Sequence, residues 1–179
     1  VHWGGASPDI QQIVQLAKKN KLFVVEDACM GIGGKINGKA PGTFGIVNAF
    51  SMHPLKSLNV MGDGGMIATN DKRLYAWIKK FRNHGMVSRD KIEFWGQNMR
   101  MQPLQSIVAS HGLKKLKKTI EIRNRNAKFF DKELSKLGAN VIIPKRVKGF
   151  VETFSLYMCL VKKRDGLIKF LNRKNIETK

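Results

Sequence analysis

Acidic residues are scarce in this chain: 13 Asp and Glu stand against 33 Lys and Arg in 179 residues, a formal charge of +20. A surface so short of negative charge attracts phosphorylated ligands, acidic polymers or an acidic partner. The basic residues are nonetheless spread along the chain, with local groups at 114–118 (KKLKK) and 145–148 (KRVK). There is no arginine-rich tail and no aromatic-interleaved RNA motif, which argues against nucleic acid as the partner. Cysteine is scarcer still. Cys29 and Cys159 lie far apart and fit neither a disulfide framework nor a metal pattern, so a reducing cytoplasm and no metal are expected. No apolar run approaches the roughly 20 residues of a membrane span. The opening VHWGGASPDI is not a signal peptide and carries no initiator methionine, so the chain is expected to begin within a longer protein. Internal repeats and low-complexity segments are missing too.

What is present is an ordinary globular share of apolar residues, 42%, in patterns that alternate between helix and strand. Residues 7–19 predict a helix capped by Ser7, with Pro8 in its first turn, Ile10, Ile13, Val14 and Ala17 on one face, and Asn20 at its end. LFVVED, 22–27, reads as a strand buried on both faces. Helix followed by buried strand is the repeating unit of a parallel sheet covered by helices, an α/β fold. IVNAFSM (46–52) and GMIATN (65–70) predict two more strands. Asp71 opens a helix with Leu74, Trp77, Ile78 and Phe81 on one face and Gly85 just past its end. Residues 86–102 read as irregular. Leu104, Ile107, Val108 and His111 restore a helical period, and a second helix is predicted over about 119–137. Beyond Gly138 come strand-like VIIP and GFVETFSLYMCLV and a helical RDGLIKFLNRKN. The expected division is 1–118, part of a large α/β domain, and 119–179, a connecting helix with an incomplete small α+β domain.

The chemistry concentrates between residues 24 and 70. Asp27 ends the first predicted strand, Ser51 ends the second, and Lys56 follows in a loop held by Pro54, ahead of the GDGG turn at 62–65. Polar groups at the carboxyl ends of strands line the site crevice of open α/β sheets. An anion, a hydroxyl and a lysine amine are the three groups that pyridoxal phosphate needs. The anion sits beside the pyridine nitrogen, the hydroxyl holds the phosphate, and the amine attaches the aldehyde and moves protons. Glycines in the turn allow close backbone approach. Glu26 is expected on the opposite strand face from Asp27, as an ion-pair or dimer-contact residue. His2 and His111 read as structural, His53 as loop packing, and Trp95 as a residue that can line a subunit boundary.

Several segments together resemble the DegT/DnrJ/EryC1/StrS sugar aminotransferases, a branch of the fold-type I pyridoxal-phosphate enzymes. These are VVEDAC (24–29), GKAPGTFG (38–45), FSMHPLKSL (50–58), GDGGMIATN (62–70), RNHG (82–85), NMRMQPLQSIVAS (98–110), IRNRNAKFFDKEL (122–134) and TFSLYMCLVKKRDGLIKFLNRKNIET (153–178). The resemblance implies the aspartate-aminotransferase-like α/β fold. It also implies that Asp27 pairs with the pyridine nitrogen, Ser51 binds the phosphate and Lys56 is the attachment lysine. Asn98 matches an asparagine that reaches the phosphate from the neighbouring subunit, so a homodimer is implied. For Arg100, in the same motif, the resemblance implies a place facing the anionic end of a nucleotide-sugar substrate.

The chain departs from the family at Met30, where Gln or His usually contacts the cofactor ring oxygen; a thioether donates no hydrogen bond. Ser57 stands where Asn is common. The glycine/threonine phosphate loop and the ring-stacking aromatic of the family, which lie upstream, and most of its small domain are not in these residues, so a central fragment is expected. The implied activity is amino transfer, with glutamate as donor, to a nucleotide-linked keto-sugar, for polysaccharide or amino-sugar biosynthesis. One alternative is a keto-sugar dehydratase of the same family, which carries histidine at the position of Lys56. The other is an inactive basic fragment that binds polyanions.

Overall fold

The computed structural model describes residues 1–178, and a three-stranded sheet organises its N-terminal part. Among the described residues the α-helices are α1 (Ile10–Lys19), α2 (Lys72–Phe81), α3 (Pro103–Ser135) and α4 (Arg164–Arg173). The strands are short: β1 (Val25–Asp27), β2 (Lys35–Ile36), β3 (Val47–Ser51), β4 (Gly65–Ala68), β5 (Met86–Ser88), β6 (Lys91–Ile92), β7 (Val141–Ile142), β8 (Phe150–Val151) and β9 (Leu160–Val161).

The central sheet has the order β1-β3-β4. β1 and β3 run parallel with Asp27 opposite Ala49, whereas β4 is antiparallel to β3 with Gly65 opposite Ser51. The expectation of a parallel sheet therefore holds for the first two strands, and the third reverses. No helix lies between β3 and β4, and the loop that joins them folds back so that β4 pairs directly with β3.

α1 starts later than its predicted boundary. Asp9, not Ser7, caps it by accepting from the Gln12 N–H, while Ser7 Oγ lies 2.9 Å from His2 Nδ1. Asn20 ends it as predicted. α2 is capped by Asp71, whose carboxylate accepts from Arg73 and Leu74. The segment 86–102 is less irregular than its composition suggests, because β5 and β6 form a small antiparallel hairpin.

The two helices expected across 104–137 are one continuous helix, α3, of 33 residues. Its middle, KKLKK, consists of good helix formers, and the one glycine there, Gly112, faces Leu58, whose Cδ1 lies 2.9 Å from where a Cβ would stand. The helix thus passes unbroken from one predicted unit to the next.

The run LFVVED is not buried on both faces. Only Val25–Asp27 forms strand, Glu26 is buried, and Phe23 is 80% exposed, with Leu22 and Val25 also open. Open apolar side chains recur elsewhere, as at Leu104 and Trp95. The accessible surface is 13371 Å², about half again the roughly 8,800 Å² expected of a compact monomer of this mass.

A core does form beneath the sheet's carboxyl end. Met52, Leu58, Val60 and Ala109 are buried together, with Ile32, Met101 and Leu116 packed against them. After α3 the chain returns to the N-terminal part. β8 pairs with β2, Asn124 donates to the Glu152 carbonyl, and Arg123 donates to the Phe154 carbonyl.

Candidate cofactor site around Lys56

The loop bearing Lys56 is pegged at both ends. Met52 on one side and Leu58 and Val60 on the other enter the core against α3. Between them the Lys56 N–H donates to the His53 carbonyl, and Met52 exchanges main-chain bonds with Gly64 and Val60. Ser51 Oγ accepts from the His53 N–H at 3.3 Å, and His53 Nδ1 accepts from the Leu55 N–H at 3.2 Å. His53 is therefore occupied in shaping the loop, as its sequence position suggested. The glycines of the GDGG turn make room for protein rather than for open space. A Cβ on Gly64 would stand 2.6 Å from Val60 Cγ2, and one on Gly65 would stand 2.7 Å from the Phe50 carbonyl oxygen.

Lys56 and Ser51 line one cavity of about 460 Å³, together with Met30, Asp63, Ser155 and Leu156. That volume falls within the roughly 300–1,000 Å³ of small-molecule sites. Lys56 is half-buried. Asp27 is exposed at the end of β1, against the expectation of a buried carboxylate. Cys29, through its thiol and its backbone N–H, holds the Asp27 carboxyl below its usual range against the effect of burial, and the charge of Lys56 adds to this. Burial, with the Asp27 carboxylate beside it, pushes the Cys29 thiol up to about 11.

Ser155 and Leu156 are wall residues that sequence reasoning missed. They lie about a hundred residues beyond Lys56 and come back to it only through the clasp of 153–156 on the N-terminal turn. The Thr153 N–H donates to the Gly5 carbonyl and the Leu156 N–H to the Gly4 carbonyl. Thr153 and Ser155 hydroxyls both reach the Met30 carbonyl, and Met30 Sδ accepts from the Gly4 N–H at 3.2 Å. The thioether that replaces the family's Gln or His is thus engaged by the backbone.

Asn98 and Arg100 are not brought into this cavity. Asn98 is exposed and bridges to Asn83, whose side-chain oxygen accepts from Arg100 Nη1. Arg100 lines a larger neighbouring groove, which meets the Lys56 cavity at Asp63 and Gly64.

An amine and a hydroxyl in one cavity, with a carboxylate at the end of β1 that lies outside the lining but within electrostatic reach of the amine, fit the donor set of a phosphorylated pyridine aldehyde. The α/β sheet with this loop is that of the pyridoxal-phosphate-dependent transferases. The DegT/DnrJ/EryC1/StrS aminotransferase family matches residues 1–179, and the chain belongs to it.

The chain is 35% identical over 179 residues to a pleiotropic regulatory protein of Geobacillus stearothermophilus, covering 99% of this chain and 48% of that one. It is 31% identical to a UDP-N-acetyl-3-dehydro-alpha-D-glucosamine 3-aminotransferase of Acidithiobacillus ferrooxidans, covering 98% of this chain and 47% of that one. Among solved structures, NtdA from Bacillus subtilis with bound cofactor PMP superposes with a TM-score of 0.88 at 27% identity, over 97% of this chain and 40% of that one. The chain spans about half the length of the curated relatives it matches. Among the described residues no helix is long and apolar enough to cross a membrane.

Proposed function

We propose that this chain supplies the lysine-bearing portion of a pyridoxal-phosphate-dependent aminotransferase that acts on a nucleotide-linked keto-sugar, with glutamate as amino donor. The observation that carries the reading is the shared cavity of Lys56 and Ser51, with the Asp27 carboxylate within electrostatic reach of the lysine. When bound, the cofactor supplies an electron sink for the carbon that loses or gains nitrogen. Lys56 Nζ would bond to the cofactor's aldehyde carbon with loss of water, and would be released when the donor's amine takes over that bond. As a free amine it would accept a proton from the amino donor's carbon and later deliver one to the sugar carbon. Asp27, held anionic, would keep the pyridine nitrogen protonated, and Ser51 Oγ would donate to the phosphate. A purine or pyrimidine diphosphate sugar suits Arg100, and the products would serve polysaccharide or amino-sugar biosynthesis in the cytoplasm.

Asn98 serves the site of a second subunit in this reading, so the enzyme is a homodimer. Two features support that: Asn98 lies outside its own protomer's cavity, and Trp95, three residues away, is 94% exposed. Residues 1–118 are assigned to the large domain, and 119–179 to the connecting helix and the start of the small domain; Lys179 lies outside the described residues.

The test is borohydride trapping with pyridoxal phosphate, followed by peptide mass mapping, on the chain and on Lys56→Ala. An adduct confined to Lys56 and lost in the variant is the expected result. Scattered labelling over many lysines, unchanged in Lys56→Ala, would overturn the reading. Raising the salt separates specific capture from the pull of a +20 surface, because phosphate attraction to scattered charges weakens steeply with salt.

A further inference from the structure

Behind Asp27, on the opposite face of β1, sits a fully buried acid that the proposed reaction does not use. Glu26 is 1% exposed. Its Oε1 accepts from the Phe44 and Gly45 N–H groups, each at 2.6 Å, and its Oε2 accepts from the Gly42 N–H and from His2 Nε2, each at 2.8 Å. His2 is itself 1% exposed. Two carboxylate oxygens take four donors, which saturates the group and offsets the cost of burying its charge. Burial pushes the Glu26 carboxyl up, but the Gly45, Gly42 and Phe44 N–H groups and the His2 ring outweigh it and hold it below its usual range.

We propose that the Glu26–His2 pair is the positioning element of the cofactor site, locking together the three chain segments that carry or wall it. The inference rests on the functional reading given above for Asp27, Ser51 and Lys56. Its four donors come from two segments, the loop 42–45 and the turn that begins at His2, and these two lead to three parts of the site.

The first link is to Asp27. The backbone N–H of His2 donates to the Asp27 carbonyl at 2.9 Å. The imidazole of His2 and its main chain thus grip consecutive residues of β1. Among the described residues, Asp27's own carboxylate is held by Cys29, through its thiol and its backbone N–H, so its direction depends on where that residue is held.

The second link is to Ser51. The loop 42–45 runs directly into β3, and the Ile46 N–H donates to the Val24 carbonyl. Gly42 adopts φ +80°, and a Cβ there would collide with the ring of Phe50, the neighbour of Ser51. Pinning this loop onto Glu26 therefore sets how the end of β3 lies against the end of β1.

The third link is to the cavity wall. His2 begins the turn whose Gly4 and Gly5 carbonyls receive the Leu156 and Thr153 N–H groups, and whose Gly4 N–H reaches Met30 Sδ. A Cβ on Gly5 would fall 2.0 Å from Thr153 Oγ1, so the contact leaves no slack. Met30 and Leu156 both line the Lys56 cavity. Glu26 bonds directly to the loop 42–45 and to His2, and His2 is continuous with the turn whose Gly4 and Gly5 meet the wall segment.

The test uses Glu26→Gln, which keeps the shape but replaces one acceptor oxygen by a donor, so the Gly42 and His2 donors or the Phe44 and Gly45 donors lose their partner. Two readouts are taken on chain whose far-UV circular dichroism matches wild type. The first is the iodoacetamide alkylation rate of Cys29 against pH, with Cys159 as internal reference. Burial, and after it Asp27, pushes the Cys29 thiol up to about 11, so a displaced Asp27 should shift that profile to lower pH and raise the rate at pH 8 at least threefold. The second is borohydride-trapped pyridoxal phosphate on Lys56 at limiting cofactor, expected to fall about tenfold.

An unshifted Cys29 profile with unchanged Lys56 labelling in folded Glu26→Gln overturns the inference while leaving the functional reading standing. If wild-type chain takes no label at Lys56, the functional reading fails, and the Cys29 profile alone decides whether the pair positions Asp27. If Glu26→Gln does not fold, His2→Asn is judged by the same two readouts and the same criteria.

Discussion

Arg146 grips Asp131 with two nearly equal hydrogen bonds, Nε to Oδ2 at 3.0 Å and Nη2 to Oδ1 at 2.9 Å, and so ties the chain beyond α3 back onto that helix. The guanidinium also reaches Glu152 at 3.2 Å and lies over the rings of Phe154 and Tyr157. Tyr157 donates its hydroxyl to Asp131 at 2.7 Å. Bidentate geometry of this kind is worth more than a surface ion pair, although about a quarter to a third of each side chain remains open to solvent.

Replacing that arginine should loosen the whole return segment. Arg146→Met is expected to cost about 1–2 kcal/mol in urea denaturation, after allowing for solvent screening. Asp131→Asn should cost about as much, and the double variant less than the sum, because both singles break the same bonds.

Acid should unfold the chain through a small set of carboxylates. Glu26, Asp27 and Asp131 all have folded values below their ordinary range. Each therefore contributes stability that is complete above its unfolded value, near 4, and is lost as the pH falls through its folded value. Glu152 works in the opposite sense, since burial raises it and protonation relieves it. The urea midpoint should be nearly flat from pH 7 to about 5 and drop below about 4, with Glu26→Gln showing a shallower drop. At the alkaline end Tyr157, pushed up to about 12 by burial and by Asp131, should lose stability as the pH rises from about 10 toward that value.

Gly64 has no space for a methyl group. A Cβ there would press on Val60 Cγ2 at 2.6 Å, in the core that pegs the Lys56 loop, and on Met101 Sδ at 3.2 Å, which packs against that core. Gly64→Ala should cost about 1–3 kcal/mol by overpacking. It should also lower cofactor labelling of Lys56 relative to wild type in fully folded protein, because Gly64 also lines that cavity.

Trp95 offers a direct probe of association. With the indole 94% exposed, Trp95→Ser should leave the denaturation midpoint of the monomer within about 0.5 kcal/mol. If the proposed dimer uses this face, the substitution should weaken self-association at least tenfold in sedimentation equilibrium. Unchanged association would remove Trp95 from the interface.

The candidate site residues proposed from the sequence share a property: they lie in one stretch and are placed by local structure. Asp27 and Ser51 stand at strand ends, and Lys56 sits in a loop shaped by His53 and Pro54, so spacing alone suggested that they converge. The role of Glu26 was only half legible. Strand alternation placed it opposite Asp27, and an ion pair was expected, but its donors come from His2 and from 42–45, and no spacing rule connects those positions. Ser155 and Leu156 were hidden for the same reason. The single helix α3 was misread as two because its apolar face breaks at the lysine-rich middle, where packing against Leu58 continues the helix through Gly112.

By itself the sequence determined the order of chemistry-bearing groups, the alternation of helix and strand, and the caps at Asp71 and Asn20. These follow from local backbone preferences and periodicity, which act over a few residues. Only the tertiary structure decided the reversal of β4, the continuity of α3, which of two adjacent carboxylates is buried, and which distant segment walls the Lys56 cavity. Each of those is settled by competition for buried space and hydrogen-bond donors among residues tens to more than a hundred positions apart, and no local pattern records the outcome of that competition.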